Sequence, residues 1–179
     1  MAATKEIVLG VTASIAIYKA GDIIRTLKEK GCSVTVVMTK EAQELIRPAL
    51  FAHLSGNKVF CGMFEEPNVW EIEHIALAQK ADAIVVAPAT ANIIAKIAGG
   101  ICDDLLTCVI SATRAPLLIC PAMNEQMYLN RITQANIKKL KSLGNISFLG
   151  PVKGRLASGR VGVGCLAHVD TIVQAALRL

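Results

Sequence analysis

The stretch AIVVAPATAN at residues 83–92 decides the fold that this sequence predicts. It begins with a short apolar run of strand length, passes through Pro88, and ends with the polar residues Thr90 and Asn92, where a helical pattern begins. A strand without alternating polar residues is typical of a parallel sheet, because helices cover both of its faces. The stretch therefore predicts a buried parallel strand that leads directly into a helix.

Outward from this strand, strand and helix patterns alternate in both directions. The predicted strands are residues 6–11, 33–38, 83–87, 116–120 and 146–149. The predicted helices are residues 14–30, 40–55 with an interruption near Pro48, 75–80, 91–98, 103–113, 133–143 and 169–177, and residues 57–73 hold an ambiguous segment with a loop. Repeated strand–helix units require right-handed crossovers. The prediction is an α/β fold of the Rossmann or flavodoxin type: a doubly wound parallel sheet in a single domain, residues 1–179.

The composition narrows the class of protein. The chain is 53% hydrophobic and only 18% charged, which predicts a sheet covered on both faces and further surface hidden in a homo-oligomer. There is no apolar run of membrane-spanning length and no signal peptide, so we expect a cytoplasmic protein without a membrane partner. The six cysteines form no CxxC pair, which indicates reduced, mostly buried thiols and no metal site. The net charge of +5 is spread over helix faces, which argues against nucleic acid and suits small anions.

In such a fold, ligands bind at the carboxyl ends of the strands. The first of these loops, residues 10–16, is built of small residues, and Ser14 could cap the following helix. A helix start attracts anions, but the loop lacks the GxGxxG pattern, so a mononucleotide phosphate fits better than a dinucleotide. Thr90 and Asn92 lie at a second helix start that could bind an anion. Thr39 provides a hydroxyl group directly after the second strand. Capped turns without any ligand remain the alternative at each position.

Two further segments carry polar groups suited to chemistry. Residues 121–128, PAMNEQMY, follow a strand, and the Asn124 amide could recognise a carboxylate, although a cap with packed methionines is the alternative. His74 is a candidate acid–base group, or else an ordinary surface residue. Residues 153–164 hold four glycines and two arginines, which predicts a mobile flap over an anionic ligand or a disordered loop.

Taken in order, these motifs resemble the flavin-dependent cysteine decarboxylases, and within them the phosphopantothenoylcysteine branch. The resemblance runs from Ile7 to about Ala176 and also includes the pair His74-Ile75, Gly99-Gly100 and residues 103–105. It implies an FMN site at the strand ends, composed of Ala13, Ser14, Ile15, Thr39, Ala89, Thr90, Ala91, Asn92, Ala122 and Met123. It implies a substrate site composed of Asn124, Arg155, Leu156 and Ala157. It implies catalytic roles for His74, as the base, and for residue 158 in the flap.

The resemblance also implies a reaction and an assembly. The flavin oxidises the thiol carbon of a cysteine conjugate to a thioaldehyde, which provides the electron sink that lets CO₂ leave as an aminoenethiol forms. In the pantothenate branch the reduced flavin returns the electrons, and 4′-phosphopantothenoylcysteine becomes 4′-phosphopantetheine in coenzyme A biosynthesis. Members of the family form trimers or dodecamers with the site between subunits, and many carry a fused or partner ligase.

One position departs from the family pattern. The flap usually has a cysteine that donates the final proton, whereas this chain has Ser158, with Arg160 replacing a common acidic residue and Cys165 farther along. A hydroxyl is far less acidic than a thiol. Ser158 could still donate, Cys165 could replace it, or the reduction could be absent, as in the peptide-cysteine decarboxylases that release an aminoenethiol. A regulatory FMN-binding protein without catalysis is a further alternative; the PAMN motif argues against a flavin prenyltransferase.

Overall fold

The computed structural model describes residues 4–63 and 73–179. The strands of its central sheet are β1 (Glu6–Val11), β2 (Ser33–Met38), β3 (Val59–Phe60), β4 (Ala83–Ala89), β5 (Leu117–Pro121) and β6 (Ile146–Phe148). Their order is β3-β2-β1-β4-β5-β6, and each neighbouring pair is parallel. The winding direction reverses between β1 and β4. A crevice opens at such a switch point, because the crossovers from the two strands leave toward opposite faces.

Helices cover both faces of the sheet. They are α1 (Lys19–Glu29), α2 (Lys40–Gln43), α3 (Pro48–Ser55), α4 (Glu73–Lys80), α5 (Ala91–Gly99), α6 (Leu105–Ala112), α7 (Glu125–Leu129), α8 (Arg131–Lys141) and α9 (Val169–Leu177). The buried residues of α1, α3 and α9 share one core with Ile7, Leu9 and Val11 of β1, while those of α4, α5, α6 and α8 share a second core with Val8. Alternate residues of one strand thus point into two cores, which confirms the predicted doubly wound α/β fold.

Several helices begin or end at other residues than the sequence predicted, for identifiable physical reasons. Pro48 is the first residue of α3 and divides the predicted helix 40–55, because proline fits the first turn of a helix but not its interior. The helix predicted at 133–143 begins earlier, since the Asn130 side chain accepts the Ile132 N–H at 2.9 Å and caps α8. A 3₁₀ turn, Ile15–Tyr18, precedes α1. Most of the ambiguous segment 57–73 lies outside the described residues.

The glycine-rich segment is an ordered hairpin, not the disordered loop that its sequence allowed. Strands β7 (Val152–Arg155) and β8 (Val161–Cys165) pair in antiparallel fashion and form a sheet of their own. The tip is closed by two hydrogen bonds, from the Leu156 N–H to the Arg160 carbonyl and from the Gly159 N–H to the Leu156 carbonyl, both at 2.8 Å. Within the described part of the chain, no helix is both long and apolar enough to span a bilayer.

Replacing Asp104 with Ala is expected to destabilise the fold. Its carboxylate caps α6 by accepting the Thr107 N–H at 2.8 Å, and it accepts the Lys96 ammonium at 2.8 Å. Burial raises the pKa of Asp104, but the hydrogen bonds from Lys96 and Thr107 outweigh it, and the net pKa is lowered. The loss of the cap should cost about 1 kcal/mol, measured by urea unfolding. Because the folded-state pKa is depressed, the difference from wild type should be full above the normal carboxyl pKa and shrink as the pH falls below it.

Candidate active site

A cleft of about 770 Å³ opens at the carboxyl edge of the sheet, beside the switch point. Four parts of the chain line it: the turn after β1, the start of α5, the loop after β5, and the hairpin. The lining residues are Ala13, Ser14, Ile15, Ala16, Tyr18, Lys19, Thr90, Ala122, Met123, Asn124, Met127, Arg155, Leu156, Ala157, Ser158, Gly159, Gly164, Cys165 and Leu166. The volume lies in the range typical of small-molecule and cofactor sites.

A buried hydroxyl links the turn after β1 to the end of β4. The Thr12 hydroxyl donates to the Pro88 carbonyl at 2.8 Å and accepts the Thr90 N–H at 3.1 Å. Ser14 and Thr90 each cap the helical turn that follows, accepting the N–H groups of Ala16 and Ile93 at 3.4 and 3.3 Å. The two turns are therefore fixed against each other, and the first turn of α5 presents N–H groups that can bind an anion.

The cap at Asn124 orients its amide. Its side-chain oxygen accepts the Gln126 N–H at 2.8 Å, at the start of α7. With the oxygen engaged in the cap, the amide NH₂ is the end left to bind a ligand, and the exposed side chain lines the cleft. An amide NH₂ offers two donors, which suits a carboxylate.

The hairpin supplies the opposite wall. Arg155, Leu156, Ala157 and Ser158 all line the cleft. Cys165 also lines it, with its thiol 3.4 Å from the Arg155 carbonyl oxygen. By contrast, burial raises the pKa of the Cys120 thiol, and burial is also the main cause of the raised pKa of Cys32, so both remain protonated core residues.

The structure does not bring every predicted site residue to the cleft. Ala89 is buried in β4 and Thr39 is buried at the start of α2. Ala91 and Asn92 are the first two residues of α5 and are not among the lining residues. Lining residues that the predicted site did not include are Ala16, Tyr18, Lys19, Met127, Gly159, Gly164 and Leu166. Helical spacing offered the signal, since Met127 lies three residues after Asn124, within one turn.

His74 lies apart from the cleft. It is the second residue of α4, whose core residues pack with α6, on the face of the sheet opposite α1. Helix α4 leads into the start of β4 and so runs antiparallel to the strands, which places His74 toward the carboxyl edge. Residues 69–72, which precede Glu73 and His74 in the sequence, lie outside the described residues.

The family assignment follows from a comparison with family models. The model described as Flavoprotein matches residues 1–179. The chain belongs to this family. Among curated relatives, this flavoprotein chain is 43% identical to the probable phosphopantothenoylcysteine decarboxylase of Streptococcus mutans, over 96% of each chain. It is also 46% identical, over 90% of its residues, to a coenzyme A biosynthesis bifunctional protein CoaBC of Vibrio vulnificus, but it spans only 40% of that relative.

Solved structures give the same picture of the flavoprotein fold. A cysteine-to-serine mutant of a PPC decarboxylase, complexed with pantothenoylaminoethenethiol, matches with a TM-score of 0.87 and 33% identity over 98% of this chain and 97% of that one. The FMN binding protein AtHal3 matches with a TM-score of 0.83 and 33% identity, over 98% and 96%. The FMN-dependent cysteine decarboxylase SpaF matches with a TM-score of 0.83 and 27% identity, over 97% and 95%.

Proposed function

We propose that this chain is an FMN-dependent carboxy-lyase that converts 4′-phosphopantothenoylcysteine to 4′-phosphopantetheine in coenzyme A biosynthesis. The observation that carries the proposal is that one cleft brings together a capped helix start suited to phosphate, the Asn124 amide and the Arg155 flap. The near full-length similarity to a probable phosphopantothenoylcysteine decarboxylase supports it. The similarity to a bifunctional protein of coenzyme A biosynthesis supports a second activity, fused or in a partner protein. That activity would be a ligase, and the protein would be cytoplasmic.

The residues at the strand ends fit FMN. Its phosphate would lie at the N–H groups of α5 near Thr90 and at the Ser14 turn, where the backbone carries partial positive charge. Ala13, Ile15, Ala122 and Met123 would provide apolar contacts for the ring. When bound, FMN would supply the two-electron redox chemistry that makes loss of CO₂ possible.

The protein's own groups would position the substrate and move protons. The Asn124 amide would donate to the substrate carboxylate, while Arg155, Leu156 and Ala157 would cover the substrate and exclude water. The final proton would come from Ser158 at the tip or from Cys165, since both line the cleft. Thr39, Ala89, Ala91 and Asn92 would support the FMN site from positions behind the lining.

We infer that a second copy of the chain completes the site. His74 does not line the cleft of its own chain. Exposed apolar side chains lie at both places: Ile15 and Met127 line the cleft, and Ile75 follows His74 in α4. In a trimer or dodecamer, His74 of one subunit would face the cleft of the next and act there as the base. The exposed apolar side chains would then be covered by subunit contacts.

The proposed function is tested by anaerobic incubation of the purified, yellow protein with 4′-phosphopantothenoylcysteine, followed by mass spectrometry. A product lighter by one CO₂ is expected. A product lighter by one CO₂ and two hydrogens would instead identify an oxidative decarboxylase that stops at the aminoenethiol. No product, despite an FMN spectrum, would favour a regulatory flavoprotein.

The second candidate is oxidative decarboxylation of a peptide's C-terminal cysteine. Ser158 at the hairpin tip favours it, because a serine is a weak proton donor for the reductive half of the reaction. The structural similarity to the FMN-dependent cysteine decarboxylase SpaF supports decarboxylation of a cysteine, which both candidates share. Incubation with a peptide ending in cysteine separates the two candidates, since the pantothenate enzyme should leave the peptide unchanged.

Replacing Ser158 with Cys should increase formation of the fully reduced thiol by about tenfold, because a thiol is several pKa units more acidic than a hydroxyl. The measurement is the ratio of reduced product to aminoenethiol by mass spectrometry. Replacing Cys165 with Ser is the companion variant. If that variant loses the reduced product while Ser158→Cys changes nothing, Cys165 is the donor.

A further inference from the structure

We propose that Glu125 is a positioning residue that fixes the hairpin against the loop carrying Asn124. The two walls of the cleft come from distant parts of the sequence, residues 121–128 and residues 152–165, and they must keep a constant separation to hold a substrate. The proposal rests on the proposed function only for the effect on substrate; the anchoring itself is a property of the fold.

The contact is a single charge-assisted hydrogen bond across a long sequence separation. The Glu125 carboxylate accepts the Val163 N–H at 2.7 Å, 38 residues away. Beside it, the Met123 N–H donates to the Gly164 carbonyl at 3.0 Å. Hydrogen bonds to a charged acceptor are about twice as strong as neutral ones, so Glu125 supplies the stronger of the two links.

The glycines of β8 provide the space for this contact. A Cβ at position 162 would lie 2.7–2.8 Å from the Glu125 carboxylate atoms, and one at position 164 would overlap the Met123 carbonyl oxygen. Neither glycine has a positive φ. The two glycines therefore serve close packing and not backbone freedom. They are two residues apart in β8, so both lie on the face that packs against the loop carrying Asn124.

The hydrogen bond from Val163 to Glu125 links the two walls of the cleft that carry the proposed site residues. Asn124 immediately precedes Glu125, while Arg155 and Ser158 belong to the hairpin whose tip is closed by its own hydrogen bonds. A hairpin tied at its tip moves as a unit, so its base sets where the tip lies. Without Glu125, the hairpin would lose its fixed distance from Asn124, and its pairing, which includes Arg155 and Val161, would open more often.

The test compares three holoenzyme variants: Glu125→Ala, Glu125→Gln, and the neighbouring Gln126→Ala as control. In Glu125→Ala, the KM for 4′-phosphopantothenoylcysteine should rise about tenfold, and trypsin should cleave after Arg155 and Arg160 about tenfold faster. The Kd for FMN should not change. Glu125→Gln should recover most of both properties, because its amide oxygen can accept the same N–H, and Gln126→Ala should match wild type.

A double-mutant cycle separates the anchor from general destabilisation. Gly162→Ala should displace the carboxylate and raise the trypsin rate, but it should add little in the Glu125→Ala background. Additive effects on the trypsin rate, or a Glu125→Ala variant with wild-type cleavage and KM, would overturn the proposal. If wild type shows no decarboxylation, the proposed function fails, while the trypsin cycle still decides the anchor.

Discussion

Replacing Asn124 with Asp is expected to lower kcat/KM for 4′-phosphopantothenoylcysteine by about 10²- to 10³-fold. Aspartate keeps the oxygen that accepts the Gln126 N–H, so the cap of α7 remains. It loses the NH₂ donors and places a negative charge against the substrate carboxylate. Steady-state assays measure the loss, and the flavin absorbance should stay at its wild-type level.

The chain offers a matched control for this substitution. Asn130 caps α8 with the same geometry, accepting the Ile132 N–H at 2.9 Å, but it does not line the cleft. Asn130→Asp should therefore keep wild-type kcat/KM. Equal losses in the two variants would show that capping, rather than carboxylate recognition, explains the effect at Asn124.

Replacing His74 with Asn is expected to reduce CO₂ release by at least about 10²-fold while FMN remains bound, because a positioned acid–base group contributes 10²–10⁴ to rate. The assay is release of CO₂ under anaerobic conditions together with an absorbance scan. His53, exposed on α3, gives the matched control His53→Asn, which should keep full activity. A colourless His74→Asn protein would make His74 structural instead.

Mixing the two inactive variants tests whether His74 acts in a neighbouring subunit. If each site takes Asn124 from one chain and His74 from another, co-refolded Asn124→Asp and His74→Asn subunits will include some intact sites. Random assembly should then restore roughly a quarter of wild-type activity. Mixtures that stay inactive after verified subunit exchange would contradict an interfacial site.

The sheet was predictable because its signals are local. The apolar runs at residues 83–87 and 116–120 give buried strands regardless of what surrounds them, and Ser14, Thr90 and Asn124 each cap a helical turn within a few residues of themselves. From a fixed sheet topology it followed that these three loops meet at one edge. The cleft-lining role of Ser14, Thr90 and Asn124 was accessible from sequence for that reason.

The roles of several glycines could not be predicted, because they depend on contacts with residues that are distant in the sequence. Gly10, near the end of β1, makes room for the Leu106 side chain, which a Cβ there would approach to 2.6 Å. Gly162 and Gly164 suggested flexibility, yet they allow close packing against Glu125 and Met123. Lys19 lines the cleft as the first residue of α1, directly after the 3₁₀ turn Ile15–Tyr18.

The hairpin pairs only with itself and adds no strand to the six-stranded sheet. Its tip, Ala157 to Arg160, is exposed. Substitutions at exposed positions usually change folding free energy by less than about 0.5 kcal/mol. Selection for folding stability, which removes many core mutations, therefore acts only weakly on mutations at this tip. A change between serine and cysteine at position 158 should therefore leave the folding free energy nearly unchanged and need no compensating mutation elsewhere.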